Sequence, residues 1–298
     1  MLDRLPFLRA WLPALALGLT AAAPAAAQAP ATAPLTVQVF NAGPGSFHVN
    51  ASVVSGPTEV MVVDSGFTRA DALRIAAGVL DSGKTLKTVL ISNADPDFYF
   101  GAETLRALFP QARVLATPAV REKIQAKRAA KLAFWGPKMG ANAPRDPVLP
   151  DALDGTTLTL DGQAVELRGT TGPLAHRPYV WIPSIQALLG NLAVFGQLHV
   201  WTADTQTAAE RAAWRAQLDE QLALQPRLVV PGHMAAGSAT DASAIRHTRD
   251  YLQRFEDELA RSADSAALIA AMQRAYPQAG LGVALDIGAK VNKGEMKW

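Results

Sequence analysis

Cysteine is absent from the 298 residues of this chain. This absence excludes a disulfide framework, a thiolate metal ligand and a cysteine nucleophile. Histidine is sparse as well, since the chain has only five. Imidazole chemistry of any kind, whether acid–base catalysis or metal binding, must therefore depend on very few side chains.

Charge of one sign is not in excess either, because the formal net charge is only +2 at pH 7. Such a balance gives no support for a nucleic-acid partner, which would require a strongly basic surface. The chain also lacks the G-x-G-x-x-G loop that binds dinucleotide phosphates. Ser65, Ser92 and Ser184 lie outside any G-x-S-x-G turn, so a serine hydrolase is disfavoured.

The longest apolar run is confined to the N-terminus, where residues 10–23 follow a basic start and precede small residues ending at Ala27. This pattern predicts a secretory signal peptide over 1–27. An uncleaved membrane anchor is the alternative, although the run is short for a spanning helix. We expect a disordered Ala/Pro-rich leader at 28–34 and one domain at 35–298. The protein is then periplasmic or secreted, with no membrane association after signal removal.

Strand-like apolar runs alternate with helical stripes along the rest of the chain, whose apolar share of 49% is ample for a core. Thr68 with Asp71 and Thr207 with Glu210 predict capped helix starts. Two halves, each with strands followed by helices, favour an α/β fold of two sheets covered by helices. The predicted strands are 35–40, 47–54, 60–63, 86–91, 113–116, 157–160, 164–167, 179–182, 187–189 and 228–230. The predicted helices are 68–80, 101–109, one starting at 117, 207–224, 243–259 and 265–276.

The sequence pattern does not assign a secondary structure to two segments. Residues 131–148 are rich in glycine and proline, and they are either a loop over a pocket or a plain connector anchored by Phe134 and Trp135. No element is predicted for residues 280–298.

Five turns at the ends of predicted strands carry the polar residues from which a site could be built. They are Asp64-Ser65-Gly66, Asn93-Ala94-Asp95-Pro96-Asp97-Phe98, Gly172-Pro173-Leu174-Ala175-His176, Gly190-Asn191 and Pro231-Gly232-His233. In their order and spacing they resemble the landmarks of the metallo-β-lactamase superfamily, and the resemblance covers nearly all of the chain after the leader. The resemblance implies a four-layer αββα sandwich, in which two mixed sheets are flanked by helices.

The residues at the family's metal positions differ from its pattern. In the family, a long strand ends in His-x-His-x-Asp-His, where this chain reads SNADPDFYFGAETL. Asn93, Asp95 and Phe98 stand at the three histidine positions of that motif. Its aspartate is kept as Asp97.

The later metal positions are altered as well. The next ligand histidine of the family falls on Pro173, the bridging aspartate falls on Asn191, and the last histidine is kept as His233. In the family these positions hold two zinc ions and a bridging hydroxide. A single imidazole does not suit a zinc pair. Cleavage of β-lactams, which would need a zinc-activated hydroxide, is therefore not expected.

Oxygen donors dominate what remains, and such a set suits Mn²⁺, Ca²⁺ or Mg²⁺ better than a zinc pair, if a metal binds at all. The candidate metal ligands are Asp95, Asp97, Asn191 and His233. The alternative is that the two aspartates cap the following helix and that Asn191 bonds to loop backbone. Asp97 and His233 are also the candidate catalytic residues, with His233 as a general base beside Asp97 or as a purely structural histidine.

A pocket is expected beside these groups, lined by Asn93, Phe98, Tyr99, Pro173 and His176. Further aromatic residues would make it apolar if they face the site rather than the core, namely Phe100, Phe134, Trp135, Phe195 and Trp201. A small apolar ligand would suit such a pocket. The other histidines, His48, His199 and His247, lie away from the five turns and are expected to be structural or on the surface.

Two functions of different kinds follow. The first is an exported hydrolase-like protein that acts on a small ester, lactone or amide through an altered, histidine-poor site. The second is a catalytically silent relative that binds a small molecule or a partner protein. The sequence predicts no oligomeric state.

Overall fold

Two β-sheets pack face to face between layers of helices in the computed structural model, which describes residues 1–3 and 33–298. Residues 33–298 form one unit. Most of the predicted signal peptide and residues 28–32 of the predicted leader fall outside the described residues. In the described part of the chain, no helix combines the length and the apolar composition needed to cross a bilayer.

The first sheet is mixed. Its strands lie side by side in chain order: β1 Thr36–Asn41, β2 Asn50–Ser55, β3 Glu59–Val63, β4 Thr85–Ile91, β5 Arg113–Ala116 and β6 Asp151–Ala152. The pairs among β1, β2 and β3 are antiparallel, whereas β3 to β6 run parallel. Both faces of β3 are buried, because Val60 and Val62 pack on helices while Met61 and Val63 pack on the second sheet.

The second sheet has the order β12-β10-β9-β8-β7. Its strands are β7 Thr157–Leu160, β8 Gln163–Arg168, β9 Tyr179–Ile182, β10 Ala187–Leu189 and β12 Leu228–Val229. Two further short strands, β11 Phe195–Gly196 and β13 His233–Met234, pair in parallel. Their register places Phe195 opposite His233, which fixes the imidazole next to an aromatic ring.

The helices form the two outer layers. They are α1 Arg69–Asp81, α2 Pro96–Tyr99, α3 Ala102–Leu108, α4 Pro118–Met139, α5 Ala208–Ala223, α6 Ala242–Arg261, α7 Ser265–Ala275 and α8 Gly282–Asn292. Both predicted capping boxes are confirmed, at the starts of α1 and α5. The core confirms the layering: one apolar cluster joins the first sheet to α1, α3 and α4, and another joins the second sheet to α5 through α8. The predicted αββα sandwich is therefore confirmed.

Two segments differ from the sequence pattern. Residues 131–139 are the last turns of α4, because alanine, leucine and lysine favour helix there and Pro137 lies close enough to the end to be accommodated. The unassigned tail contains α8, although two glycines lower its helix propensity. One of them, Gly288, lies so close to Thr202 that a Cβ atom would collide with the threonine side chain. Close packing of α8 therefore requires Gly288, although this glycine lowers the helix propensity from which α8 could have been predicted.

Candidate functional site

A cavity of about 510 Å³ opens where α4 and α8 approach the turn that follows β4 and the start of β13. We call it the aromatic pocket, because seven aromatic side chains line it: Phe47, Phe67, Phe134, Trp135, Phe195, Trp201 and Trp298. Polar groups are contributed by Asp95, Asp97, Asp204 and His233, and lysines by Lys127, Lys131 and Lys297. Of the aromatic residues considered from the sequence, Phe134, Trp135, Phe195 and Trp201 lie here.

The turn after β3 holds in place the loop that carries Asp95 and Asp97. Asp64 has a left-handed backbone (φ 64°), and its carboxylate accepts hydrogen bonds from the Ser92 backbone N–H and hydroxyl, both at 2.8 Å. Burial raises the pKa of Asp64 to about 7. The neighbouring Ser65 hydroxyl donates to the Phe98 carbonyl at 2.9 Å. This turn thus ties the ends of β3 and β4 to the loop that carries Asp95 and Asp97.

Asn93 shapes that loop rather than facing a ligand. Its side-chain oxygen accepts from the Asp95 backbone N–H at 2.9 Å, which is a local turn typical of asparagine. Asp95 is the residue before α2, but its side chain makes no capping hydrogen bond, contrary to the capping alternative. The Asp95 carboxyl instead faces the pocket, where burial, followed by the negative charges of Asp204 and Asp97, raises its pKa to about 6.

Asp97 and His233 meet at the polar side of the aromatic pocket. The Oδ2 atom of Asp97 lies 3.5 Å from Nε2 of His233. The Nδ1 atom of His233 donates to the Phe47 carbonyl at 2.9 Å, because a carbonyl can only accept. Nε2 therefore carries the lone pair of the neutral ring and faces the carboxyl group. The predicted catalytic pair is brought together.

The surroundings of this pair set its protonation. Burial lowers the pKa of His233 to about 4, so the ring is neutral at physiological pH. Phe195 stacks on the ring at 5.2 Å between centroids, and Phe98 meets it edge to face at 5.4 Å. Burial raises the pKa of Asp97 to about 7, and the positive charge of Lys131 limits that rise. Asp97 is therefore partly protonated near neutral pH.

Asn191, a candidate metal ligand in the sequence, does not join this group. Its amide is fully buried and exchanges two hydrogen bonds with Gln221 of α5, at 3.0 and 3.2 Å. Both hydrogen-bonding ends of the amide are thus occupied. The sequence could not reveal this pairing, because the two residues are 30 positions apart and lie on different elements.

The five residues predicted to line the pocket have other surroundings. Phe98 and Tyr99 are fully buried in the core, and Asn93 holds its turn. Pro173 is exposed, and His176 is half-buried with its Nε2 atom lacking a partner within the described residues. None of the five is among the lining residues, so the prediction is corrected. Hydrophobic residues just after a strand are expected to face the site, whereas the short α2 turns them into the core.

The other three histidines lie away from the aromatic pocket. His199 Nδ1 lies 3.0 Å from the Tyr251 hydroxyl, and His247 Nε2 lies 3.2 Å from the Leu198 carbonyl. His48 has a left-handed backbone in the turn before β2. None of them lines the aromatic pocket.

The residues present do not fit the zinc pair of the resembling family. Within 1–3 and 33–298, no three histidine, cysteine, aspartate or glutamate side chains are grouped closely enough to hold a metal ion. Of the candidate hard-cation ligands, Asp95, Asp97 and His233 do not form such a group in the described residues, and Asn191 is hydrogen-bonded to Gln221. Phe98, which the resemblance puts at a ligand-histidine position, packs against the His233 ring.

Asp204 and Trp298 belong to the site and were missed in the sequence. Asp204 accepts hydrogen bonds from Nε1 of Trp201 at 2.7 Å and from Nε1 of Trp298 at 3.1 Å. Burial acts to raise the pKa of Asp204, but the Trp201 bond and the positive charges of Arg177 and Lys123 hold it below its usual value. Asp204 is therefore an ionised carboxylate that attaches the C-terminal segment to the pocket. No local signal links two residues 94 positions apart.

Comparisons with known proteins agree on the fold. The sequence model of the metallo-beta-lactamase superfamily matches residues 44–233. No curated protein matches the chain. A metallo-beta-lactamase family protein from Thermus thermophilus has a similar solved structure, with 19% identity, a TM-score of 0.60, and coverage of 88% of this chain and 92% of that one.

A second similar structure is a metallo-beta-lactamase from Pontibacter korlensis, with 18% identity and a TM-score of 0.54. The match covers 76% of this chain and 97% of that one. The DIM-1 metallo-beta-lactamase gives 18% identity and a TM-score of 0.53, over 74% of this chain and 98% of that one. Identities this low show a shared fold and nothing about chemistry.

Proposed function

Because the chain belongs to the metallo-beta-lactamase superfamily, we propose that it is a hydrolase-like member whose aromatic pocket binds a small, mostly apolar ester, lactone or amide. Asp97 and His233 take the water-activating role that zinc has in the family. The observation that carries this assignment is the 3.5 Å approach of Asp97 Oδ2 to His233 Nε2 on the polar side of the pocket.

The composition of the walls supports the choice of ligand. Seven aromatic rings surround a volume of about 510 Å³, which suits a small molecule with an apolar body. Asp97 and His233 lie 3.5 Å apart in the wall, so a ligand with one polar end could be oriented by this pair. A sugar or a peptide backbone would instead require polar partners along its whole length.

The chemistry assigned to Asp97 follows from its pKa of about 7. A carboxylate with a pKa near the working pH is both ionised in part and basic enough to accept a proton. Ionised Asp97 removes a proton from water while the water oxygen attacks the carbonyl carbon. The same carboxyl group then returns that proton to the departing oxygen or nitrogen. The ammonium group of Lys131, whose charge already acts on Asp97, stabilises the developing oxyanion.

His233 positions the carboxyl group in this scheme. Its ring cannot rotate freely, because Nδ1 is bonded to the Phe47 carbonyl and a face is stacked on Phe195. Nε2 therefore offers a fixed acceptor to protonated Asp97 or to the attacking water. With a pKa of about 4, His233 is a weak base, so the proton from water goes to Asp97.

The test uses purified protein stripped of metal with EDTA and assayed on nitrophenyl esters, aromatic lactones and nitrocefin. We expect ester or lactone hydrolysis that EDTA does not reduce, and no cleavage of nitrocefin. Asp97→Asn should lower kcat by about 10²-fold or more, the usual contribution of a general base. Asp219→Asn, a change at a surface carboxylate paired with Arg249, is the matched control and should keep full activity.

A catalytically silent binding protein is the second candidate, and one observation favours it. Phe98 and Phe195 cover His233 and its pKa is about 4, so the imidazole itself contributes little basicity. In that case apolar ligands bind in the pocket with no turnover above background. Titration of a non-hydrolysable ligand alongside the activity assay separates the two candidates.

Export is the last part of the proposed function. Residues 1–27 have the pattern of a secretory signal peptide, with small residues at 25–27. Expression of the full chain in a bacterium, followed by fractionation and N-terminal sequencing, should yield a periplasmic protein that begins at Gln28. An intact N-terminus in the cytoplasmic fraction would contradict export.

A further inference from the structure

Two exposed aromatic side chains lie at the opening of the aromatic pocket. Phe134 of α4 is 56% exposed and Trp298 is 51% exposed, although both line the cavity. Among the described residues, no other phenylalanine, tyrosine or tryptophan side chain is exposed. Val283 of α8 lines the same cavity and is 45% exposed. We call these three side chains the apolar rim. Their exposure makes the surface around the opening apolar, like the inner walls of the pocket.

Lysines accompany the apolar rim. Lys127 and Lys297 line the same cavity and are exposed. Helix α4 carries six basic side chains and a single acidic one, Glu122, in a chain whose net charge is only +2. Among the described residues, neither Lys127 nor Lys297 forms an ion pair, whereas Lys290 of α8 is paired with Asp286 at 2.9 Å. The charges of Lys127 and Lys297 are thus available to an anionic partner outside the chain.

The carboxyl groups of the pocket do not cancel this positive charge at the surface. Asp97 is only 7% exposed, and Asp95 and Asp204 are half-buried. Burial also raises the pKa of Asp95 to about 6 and the pKa of Asp97 to about 7, so part of their negative charge is absent near neutral pH. Negative charge therefore lies within the pocket, whereas the exposed lysines lie at its edge.

A lipid surface fits this composition better than a protein partner does. Protein–protein interfaces are depleted in lysine, and each partner contributes about 20–30 residues to a stable one. Helices that lie on membranes instead combine Phe, Trp or Leu with lysines that contact anionic headgroups. The apolar rim with its lysines has this second composition. A further lysine of α4, Lys138, places its Nζ atom 3.4 Å from the centre of the Phe134 ring, so a cation accompanies the exposed ring directly.

We propose that the apolar rim binds an anionic lipid surface, with its three side chains among the upper acyl chains and with Lys127 and Lys297 at the headgroups. The opening of the aromatic pocket then faces the acyl chains, so an apolar ligand enters the pocket without crossing water. Binding to the surface requires no hydrolysis, and the inference thus goes beyond the proposed function. It departs from the sequence-based expectation of no membrane association after signal removal.

The experiment measures co-sedimentation of the purified protein with lipid vesicles. The protein begins at Gln28, so that the apolar N-terminal run cannot contribute, and residues 33–298 form one unit. Vesicles of phosphatidylcholine alone are compared with vesicles in which about one third of the lipid is phosphatidylglycerol. We expect binding to the anionic vesicles to be about tenfold tighter or more, and we expect high salt to remove this preference because it screens exposed charges.

A pair of double variants tests the role of the lysines. Lys127→Gln with Lys297→Gln should weaken binding to the anionic vesicles about tenfold or more, since each lysine near such a surface contributes roughly fivefold. Lys84→Gln with Lys87→Gln is the matched control, because it removes the same net charge outside the lining of the aromatic pocket. Its affinity for the anionic vesicles should stay within about twofold of the wild-type value.

A second pair tests the apolar contact. Phe134→Ser with Val283→Ser should weaken binding to the anionic vesicles about tenfold or more, because two apolar side chains no longer enter the acyl region. Leu80→Ser with Leu108→Ser is the matched control, since both leucines are exposed and lie outside the lining of the pocket. This control should bind like the wild-type protein.

Tryptophan fluorescence gives a measurement that does not depend on a change in affinity. Phospholipids brominated in the upper part of their acyl chains quench a tryptophan that enters the bilayer. Such lipids should quench part of the wild-type emission. Trp298→Phe should lose that quenched part while it keeps its affinity for the vesicles, because an aromatic ring remains in the apolar rim.

The outcomes separate this inference from the proposed function. Equal affinity for neutral and anionic vesicles, absence of binding, or a loss of the same size in the two controls overturns the role of the apolar rim. Each of these results, including the case in which the rim binds a protein instead, leaves the hydrolase proposal intact. Tight binding to anionic vesicles that depends on the rim, by a protein that hydrolyses no ester, supports this inference and overturns the hydrolase proposal.

Discussion

Asn191 and Gln221 exchange two hydrogen bonds in the fully buried interior between β10 and α5, at 3.0 and 3.2 Å. The resemblance in the sequence implies that Asn191 stands where the superfamily has an aspartate that bridges two zinc ions. An amide can satisfy another amide completely, whereas a carboxylate at this place would leave one of its oxygens facing another acceptor, Oε1 of Gln221. Asn191 is thus fully paired by the amide of Gln221.

The amide pair leads to a stability prediction. Gln221→Leu should lower the free energy of unfolding by about 1–3 kcal/mol, because it leaves the buried Asn191 amide unsatisfied. The double change Asn191→Leu with Gln221→Leu should recover part of that loss. Urea unfolding measures both values. Gln253→Leu, at an exposed position on α6, is the control and should change the free energy of unfolding by less than about 0.5 kcal/mol.

Asp64 supports a prediction about pH. Its pKa is about 7 in the folded protein against 3.8 for a free carboxyl group, because of burial. Between these values the folded state holds a proton that the unfolded state has released, so a rise in pH favours unfolding through this residue. Relative to Asp64→Asn, the wild-type protein should lose about 1.4 kcal/mol per pH unit from about pH 4 to about pH 7.

The comparison with Asp64→Asn is needed because His233 acts in the opposite direction. Its pKa of about 4 lies below the ordinary 6.5, so its contribution to stability is lost as pH falls from 6.5 towards 4. Asparagine tolerates the left-handed backbone at position 64 and keeps an acceptor for Ser92. A stability difference that does not change with pH would contradict a raised pKa for the buried carboxyl group there.

Trp298 allows a prediction about ligand binding. Its indole lies over one wall of the aromatic pocket, 5.0 Å from the Trp201 ring, and donates to Asp204. Trp298→Ala should weaken binding of an apolar ligand about tenfold, since aromatic side chains contribute most of the contact energy in such pockets. The melting temperature should change little, because the residue is 51% exposed. Met296→Ala is the control, and a loss of affinity of the same size there would contradict a direct role for Trp298.

Local sequence signals account for most of the fold. Buried strands such as 60–63 and the two capping boxes follow from short-range patterns, so they could be predicted without a structure. Helix α8 could not, because the close approach of Gly288 to Thr202 requires the residue that lowers its helix propensity. The last turns of α4 could not be predicted either, because Pro137 within them disfavours a helix.

The site was predicted less completely than the fold. Asp97 and His233 were identified because each follows a buried strand, and the ends of such strands meet. The rest of the pocket depends on contacts between distant elements, such as Trp298 on Asp204. No spacing within the sequence encodes these contacts. The sequence also does not show that α2 directs the Phe98 side chain into the core.

The pH dependence of ester hydrolysis by metal-depleted protein tests the central claim most directly, since Asp97 is assigned as the base in place of zinc. With the pKa of Asp97 at about 7, kcat/KM should rise with pH through a midpoint near that value and then level off. The rise should be absent in Asp97→Asn, and EDTA should have no effect on the wild-type profile. Hydrolysis that EDTA abolishes and added Zn²⁺ restores, with a profile unchanged in Asp97→Asn, would contradict the account.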